Sequence, residues 1–418
     1  MQLSTIYEWL AWIGSVHNTE IDLGLERIRV IAERLGLLRP VCPVVVVGGT
    51  NGKGSVVAGL QAVYRAAGYR VGAFTSPYLF KHNEEVRVNG EMATDEAFCH
   101  AFARIEAARG EVTLTPFEYH TLAALLIFQQ SNLDVMILEV GLGGRLDAVN
   151  VMDGDVAVVA SIDIDHVAWL GDTRELIATE KAGIFRRGKP AICGDRNPPH
   201  TLIAAAQEMG TQFFQQGKDF NFTEMPDAWT WQCAGQTALT LPRNELLTQN
   251  MSTVLMAVSC LQSRLPVTEE SIRRGLQQIE LTGRMQIVNK PVYELYDVAH
   301  NPHAALELAR RLRQLPVTGK TVAVFSMLAD KDIAGTLAAM KKVIDEWYIA
   351  PLTCARAASL PLLEQAFHQA GIIRVTTAPT LAAAYQAAVS QTRPGDRIII
   401  FGSFYAVAAI MTETGLVP

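Results

Sequence analysis

Short apolar, β-branched runs recur along the chain: Val44–Val47, Val135–Val140, Val156–Ile162, Thr321–Phe325 and Arg397–Phe401. Each is continuous, as expected of strands buried on both faces of a parallel sheet. Between them lie Ala- and Leu-rich amphipathic stretches: Val56–Ala67, Phe117–Gln130, Pro302–Leu315 and Leu381–Ser390. This alternation predicts an α/β fold with helices on both faces of a mostly parallel sheet. From about Phe213 to Leu241 the helical period fades around Asn221, Trp229, Trp231 and Gln236. Short antiparallel strands or a long surface excursion are the expectations there. A helix follows near Asn250–Arg264. The segment Leu281–Pro291 (LTGRMQIVNKP) reads as a junction, and a fresh strand–helix series starts at Tyr293. Two domains are expected, a larger one over 1–284 and a smaller one over 285–418.

Composition narrows the class. Hydrophobic residues make up 49% and charged residues 19%, a globular balance with ample material for a core. No apolar run approaches the ~18 residues of a membrane span. The first residues lack a basic leader, an apolar stretch and a small-residue cleavage site. The six cysteines are scattered without a CxxC pair, which argues against a zinc ribbon or a disulfide framework and fits a reducing cytoplasm. A net charge of −6 with no long basic run makes nucleic acid a poor partner.

The strongest local signal is Val44-Val-Val-Val-Gly48-Gly49-Thr50-Asn51-Gly52-Lys53-Gly54-Ser55. A buried strand ends in a glycine-rich turn that opens a helix. Such a turn aims successive backbone N–H groups into a concavity, and the helix N-terminus adds positive potential. Lys53 is placed to reach β- and γ-phosphates, and Ser55 to contact phosphate or a metal ion. The spacing departs from the ordinary Walker A loop: three residues separate Gly48 from Gly52, and Gly54 intervenes between Lys53 and Ser55. A glycine-rich turn without ligand is the plainer reading; the preceding strand, the following helix and the lysine favour nucleotide.

Glu139 stands at a strand end beside Gly141, Gly143 and Gly144, where α/β sheets bind ligands and where a carboxylate suits Mg²⁺; alone it could cap a helix. Asp163, Asp165 and His166 end the next strand, and a metal or catalytic role is expected for His166. Ser76, before Pro77, could ligate Mg²⁺ or simply form a turn. Lys181 reads as a surface charge on a helix. Asp297 could accept from a ribose hydroxyl, while Asn301 and Pro302 read as N-cap and first residue of a helix. A cleft between two domains could close and exclude water from a reactive intermediate.

Together these motifs resemble the folylpolyglutamate synthase family within the Mur-ligase superfamily. GTNGKGS (49–55), TSPYL (75–79), LEVGLGGRLDAVN (138–150), EKAGIF (180–185), DVAHNPHAA (297–305) and MLADKDIAGTL (327–337) occur in family order. The segment Ile21–Arg27 is similar to the pterin loop of the bacterial bifunctional branch, which also adds the first glutamate to dihydropteroate. The resemblance implies a P-loop α/β domain followed by a Rossmann-like domain. It implies that Asp22, Leu23, Gly24, Leu25, Thr115, Pro116, Phe117, Glu118, Leu146, Asp147 and Ala148 surround the pterin. It implies ATP contacts from Thr50, Asn51, Gly52, Lys53, Gly54, Ser55, Asn250, Arg284 and Asp297, with His300 near the phosphates and catalytic roles for Lys53, Lys181 and His300. Ser76, Glu139 and His166 would ligate Mg²⁺, and Lys181, as a carbamate, a second Mg²⁺; a need for K⁺ is not fixed. A monomer acting on dihydropteroate, tetrahydrofolate and L-glutamate, away from membranes, is implied. Two positions depart from the family pattern: Ser55, where some relatives carry Thr, and Thr282, where a proline often precedes the glycine.

The chemistry so implied is phosphorylation of a carboxylate by ATP and attack of the glutamate amine on the acyl phosphate. Two rivals are an amino-acid ligase acting on another carboxylate, against which the Ile21–Arg27 segment argues, and a P-loop protein that binds nucleotide without ligation, which would not need the DVAHNP domain. ADP release that depends on both glutamate and dihydropteroate separates the three.

Overall fold

A computed structural model describes residues 3–289, 292–315 and 317–417. Lys290 and Pro291, the end of the expected junction, lie outside the described residues. The chain forms two compact units, the first ending at Glu280 and the second starting at Leu281. Residues 281–284 therefore cluster with the second unit. The bonding there is local: Val298 N donates to Gly283 O at 2.9 Å and Met285 N donates to the Asp297 carboxylate at 3.0 Å.

In the first unit the strands are β1 (Val44–Gly48), β2 (Val71–Phe74), β3 (Val86–Val88), β4 (Glu91–Met92), β5 (Val135–Glu139), β6 (Val156–Val159), β7 (Pro190–Cys193) and β8 (Gln212–Gln215). They form one sheet in the order β4-β3-β2-β5-β1-β6-β7-β8. The six strands from β2 to β8 in that order are parallel, and β3 and β4 make an antiparallel edge. Val44–Val47 are buried on both faces, which is why the run is uniformly apolar. The register pairs Phe74 with Leu138, Val47 with Glu139 and Gly48 with Val159. Strands β2, β5, β1 and β6 thus end side by side.

Helix Pro116–Gln129 was expected to be amphipathic, yet from Glu118 to Phe128 only His120 is not buried. It packs on the sheet and is itself covered by helices Ile6–Val16, Glu26–Arg34 and Asp95–Arg109, so little of it meets water. Helix Lys53–Ala66 packs against β1, β2 and β5 and is covered by helices Thr248–Leu261 and Glu269–Gln277.

The weakly patterned stretch divides. Gln212–Gln215 joins the main sheet as β8, while β9 (Phe220–Glu224), β10 (Ala228–Cys233) and β11 (Leu239–Pro242) make a separate antiparallel sheet. Trp229 and Trp231, two apart on β10, share its buried face. All six cysteines are free. Among the described residues no helix is long and apolar enough to cross a membrane.

The second unit contains β12 (Gln286–Asn289), β13 (Tyr293–Tyr296), β14 (Thr321–Phe325), β15 (Glu346–Ile349), β16 (Val375–Thr377) and β17 (Arg397–Phe401) in the order β12-β13-β17-β14-β15-β16. Only β12 is antiparallel to its neighbour. Phe325, Trp347, Phe367 and Phe401 form an aromatic core, with Phe325–Phe401 and Trp347–Phe367 ring centroids 5.0 Å apart.

The close approach of helix Glu269–Gln277 to helix Lys53–Ala66 depends on Gly275, where an added Cβ would meet Val63 Cα at 2.7 Å and Ala62 O at 2.8 Å. Overpacking costs about 1–3 kcal/mol, against a helix-propensity gain of up to ~1 kcal/mol for alanine. Gly275→Ala is expected to lower the urea midpoint of the first unit by circular dichroism; a raised midpoint would contradict this packing.

Candidate active site

The adjacent ends of β2, β5, β1 and β6 bring four sequence-distant segments to one edge. The loop after β1 is shaped by glycine. Gly49 has φ 141° and Gly52 has φ 87°, and Gly52 is the N-cap of helix Lys53–Ala66. Both conformations favour a residue without Cβ. The loop is tied to the exit of β6 by main-chain and side-chain bonds. Thr50 N donates to Ser161 O at 2.8 Å, Thr50 Oγ1 donates to Asp163 O at 2.9 Å, and Asp163 N donates to Thr50 Oγ1 at 3.0 Å. Asn51 N donates to Ser161 Oγ at 3.1 Å, which donates back to Asn51 O at 3.0 Å. Lys53 Nζ folds over the loop to Gly49 O at 3.2 Å and Thr50 O at 3.4 Å. Residues 50–54 are half-buried and Ser55 is buried.

Asn250 flanks this loop: a Cβ at Gly52 would lie 2.7 Å from its Oδ1. Glu139 reaches it from β5, its Oε2 lying 3.8 Å from a Cβ built on Gly54. No helix begins directly after Glu139; the next short helix, Ala148–Val151, is capped by Asp147. Ser76 follows β2 on the neighbouring strand end, half-buried. His166 follows β6 with φ 52° and opens the short helix Val167–Leu170. Ser76 thus follows β2 and Glu139 ends the adjacent strand β5, while His166 comes after the exit of β6 that bonds to the loop.

Lys181 is not a surface charge. It is 3% exposed, and helix Arg174–Ala182 is pressed against the glycine-rich loop after β5. A Cβ at Gly144 would meet Glu180 O at 2.8 Å and Lys181 Cα at 3.1 Å. Arg145 locks the approach: its N donates to Glu180 O at 2.8 Å, and its guanidinium pairs with the Glu180 carboxylate at 2.8 Å. Burial first, then Lys53, push the Lys181 amine down to about 7, against the pull of Asp165 and Asp147. Among the described residues its amine makes no hydrogen bond or ion pair. Burial pushes the Asp147 carboxyl up to about 6, opposed by the amides of Leu142 and Val149 and by Lys53.

A second cluster adjoins this one. Gly24 N donates to Leu146 O at 3.2 Å, which joins segment Asp22–Leu25 to Leu146–Ala148. Thr115 and Glu118 close a capping box, with Thr115 N donating to Glu118 Oε2 at 2.7 Å, and Pro116 is the first residue of that helix. The Phe117 ring lies against Gly141, where a Cβ would meet its Cζ at 2.6 Å, and 5.8 Å from the Phe74 ring. Two residues not singled out from the sequence hold these segments together. Arg27 pairs with Asp22 at 2.6 Å and with the buried Glu118 at 3.3 Å, and His17 Nε2 meets Asp22 Oδ2 at 3.1 Å. The signal for Arg27 was its place in IDLGLER; nothing in the sequence distinguished His17.

In the second unit, Asp297 directly follows β13 and is buried. Its oxygens accept from Met285 N at 3.0 Å and Ala299 N at 2.8 Å, so it shapes the Gly283–Met285 turn and keeps lone pairs for a further donor. Burial raises its pKa, and Arg284 opposes the rise. The Arg284 guanidinium stacks over Phe404 at 5.0 Å, and His300 Nδ1 meets Val298 O at 2.9 Å. Asn301 caps the helix beginning at Pro302, accepting from Ala304 N at 2.9 Å.

Comparisons with known proteins identify the family. Residues 47–229 match the Mur ligase middle domain, and residues 283–404 match the Mur ligase glutamate ligase domain. The chain is 45% identical to the dihydrofolate synthase/folylpolyglutamate synthase of Escherichia coli, over 98% of this chain and 95% of that protein. The structure of E. coli FolC in complex with DHPP and ADP superimposes with a TM-score of 0.94, at 44% identity, covering 99% of this chain and 98% of that one. A bifunctional folylpolyglutamate synthase/dihydrofolate synthase with Mn, AMPPNP and L-glutamate bound gives a TM-score of 0.92 at 43% identity, covering 99% and 98%. A full-length likeness at this identity, with both domains matched in order, means that the chain belongs to the dihydrofolate synthase/folylpolyglutamate synthase family of Mur-type ligases.

Proposed function

We propose that this protein is an ATP-dependent, ADP-forming ligase that adds L-glutamate to dihydropteroate and to reduced folates in the cytoplasm. The observation that carries the proposal is the glycine loop at the sheet edge, with Lys53 folded over it and Glu139 and the buried Lys181 grouped around it. The ADP, AMPPNP and L-glutamate bound by relatives of this fold support it.

The amides of Gly49–Ser55 and the helix N-terminus would bind the phosphates, while Lys53 neutralises charge that spreads over the transferring phosphoryl group. Asn250 would hold the loop side of the nucleotide. Arg284 and Asp297 of the second unit would contact the nucleotide, and His300 the phosphates. A substrate carboxylate oxygen attacks the γ-phosphorus, and ADP leaves. The glutamate nitrogen then attacks the acyl carbon, loses a proton, and phosphate departs from the tetrahedral intermediate. Residues Asp22–Leu25, Thr115–Glu118 and Leu146–Ala148 would enclose the pterin, with Arg27 fixing the loop against Glu118.

The oxygen-rich strand ends fit Mg²⁺. Ser76, Glu139 and His166 would hold one ion, and Lys181, as its carbamate, a second. When bound, Mg²⁺ supplies positive charge to the phosphate oxygens. A buried amine whose pKa is lowered toward neutrality is a nucleophile for CO₂, giving N–COO⁻ and a proton. The chain would act as a monomer.

Purified protein with ATP, Mg²⁺ and glutamate should release ADP with either dihydropteroate or tetrahydrofolate as acceptor. Turnover with tetrahydrofolate alone would remove the pterin-loop reading. Lys181→Ala should lower kcat about 10²–10³-fold, the range for loss of one electrostatic stabiliser. A ¹³C-carbamate resonance after labelling with ¹³C-bicarbonate should be present in the wild type and missing in the variant; full activity in the variant would end the carbamate proposal. Because the amine must be neutral to react, reactivation of CO₂-depleted enzyme by bicarbonate should weaken as pH falls through about 7. A pH-independent response would contradict this.

A further inference from the structure

Beyond the glycine loop, in the connection from β2 to β3, His82 and Glu85 lie on the 3₁₀ turn His82–Glu85, and His120 projects from helix Pro116–Gln129. Among the described residues they form the single group of three His, Cys, Asp or Glu side chains whose ligand atoms all lie within 4.8 Å of one another. We propose that His82, Glu85 and His120 form a transition-metal site, best suited to Zn²⁺, that is separate from the ions of the ligation chemistry.

The donor set is two imidazoles and one carboxylate, which Zn²⁺ takes with a fourth position left for water. Two imidazoles disfavour Mg²⁺ and Ca²⁺, which prefer all-oxygen shells. The spacing fits. Glu85 Oε2 lies 3.1 Å from His120 Nδ1 and 3.6 Å from His82 Nδ1. Bonds of about 2.0–2.1 Å to a tetrahedral ion require neighbouring donors roughly 3.3 Å apart.

The surroundings make these atoms costly without an ion. His82 is 5% exposed and Glu85 is 4% exposed. His82 Nδ1 and Nε2, Glu85 Oε2 and His120 Nε2 are buried without a well-formed hydrogen bond, a condition that buried polar groups seldom tolerate. An ion pair between Glu85 and a protonated His120 would still leave both His82 nitrogens unmet. The rings of Phe98 and Phe102, 4.7 and 6.0 Å from His82, shut out water on one side. The half-buried His120 and the Tyr78 ring, 5.9 Å from His82, border the more open side. An ion here would pin the turn after β2 to helix Pro116–Gln129.

The test is titration of metal-free, nucleotide-free full-length protein with Zn²⁺ in competition with a chromophoric chelator. Wild type and Glu139→Gln should share one Zn²⁺ site. Glu85→Gln and His120→Gln should weaken it beyond the about 10–100-fold that loss of an outer-shell partner costs. Equal affinity in wild type, Glu85→Gln and His120→Gln would overturn the proposal, as would Zn²⁺ binding that only Glu139→Gln abolishes. A measurement that needs no change in the cluster is zinc X-ray absorption on Glu139→Gln protein. Two imidazoles in the zinc shell are expected; a shell without imidazole would refute the site.

Discussion

The bonding of the β1 loop to the exit of β6 is the constraint on which the rest of the site depends. Thr50 and Asn51 are held to Ser161 and Asp163 by reciprocal hydrogen bonds. These bonds use up loop groups that would otherwise compete for solvent, and they fix the two positive-φ glycines that free the remaining amides. Because β1 lies between β5 and β6, fixing this loop also sets its distance from Glu139 on one side and from the His166 segment on the other. A parallel sheet supplies this arrangement because all its strands end at the same edge.

Around that edge the electrostatics are set by burial rather than by exposed ion pairs. Lys181 and Asp147 lie where water is largely excluded, and each is shifted toward its neutral form by burial. A lysine kept near neutrality is unusual on a protein surface and natural in such a pocket. The same exclusion of water explains why Glu118 is met by Arg27 and by its own capping box, since an unpaired buried carboxylate is costly.

The parallel strands and the phosphate-type loop were legible from the sequence. A run such as Val44–Val47 has no polar face to turn to water, and few structures other than a doubly covered strand accept it. The glycines at 49 and 52, followed by Lys53, left little choice for the turn. Less legible were elements whose environment is supplied by distant chain. Helix Pro116–Gln129 reads as amphipathic because Glu118, His120 and Thr121 put polar side chains near its start. Their partners are Thr115, Glu85 and a main-chain carbonyl. Gln212–Gln215 carries no strong strand pattern and becomes β8 only because β7 offers it an edge.

Sequence alone determined where chain must be buried on both sides and where it must turn with positive φ, because those demands are local and written in residue type. Tertiary structure decided which charged groups lose water and which others they then face. Lys181 has the local context of an exposed helix residue, and only the close packing of its helix on Gly144 and Arg145 buries it. His82, Glu85 and His120 likewise become a cluster only when a turn and a helix more than thirty residues apart are folded together, since desolvation is a property of the packed chain and not of the residue.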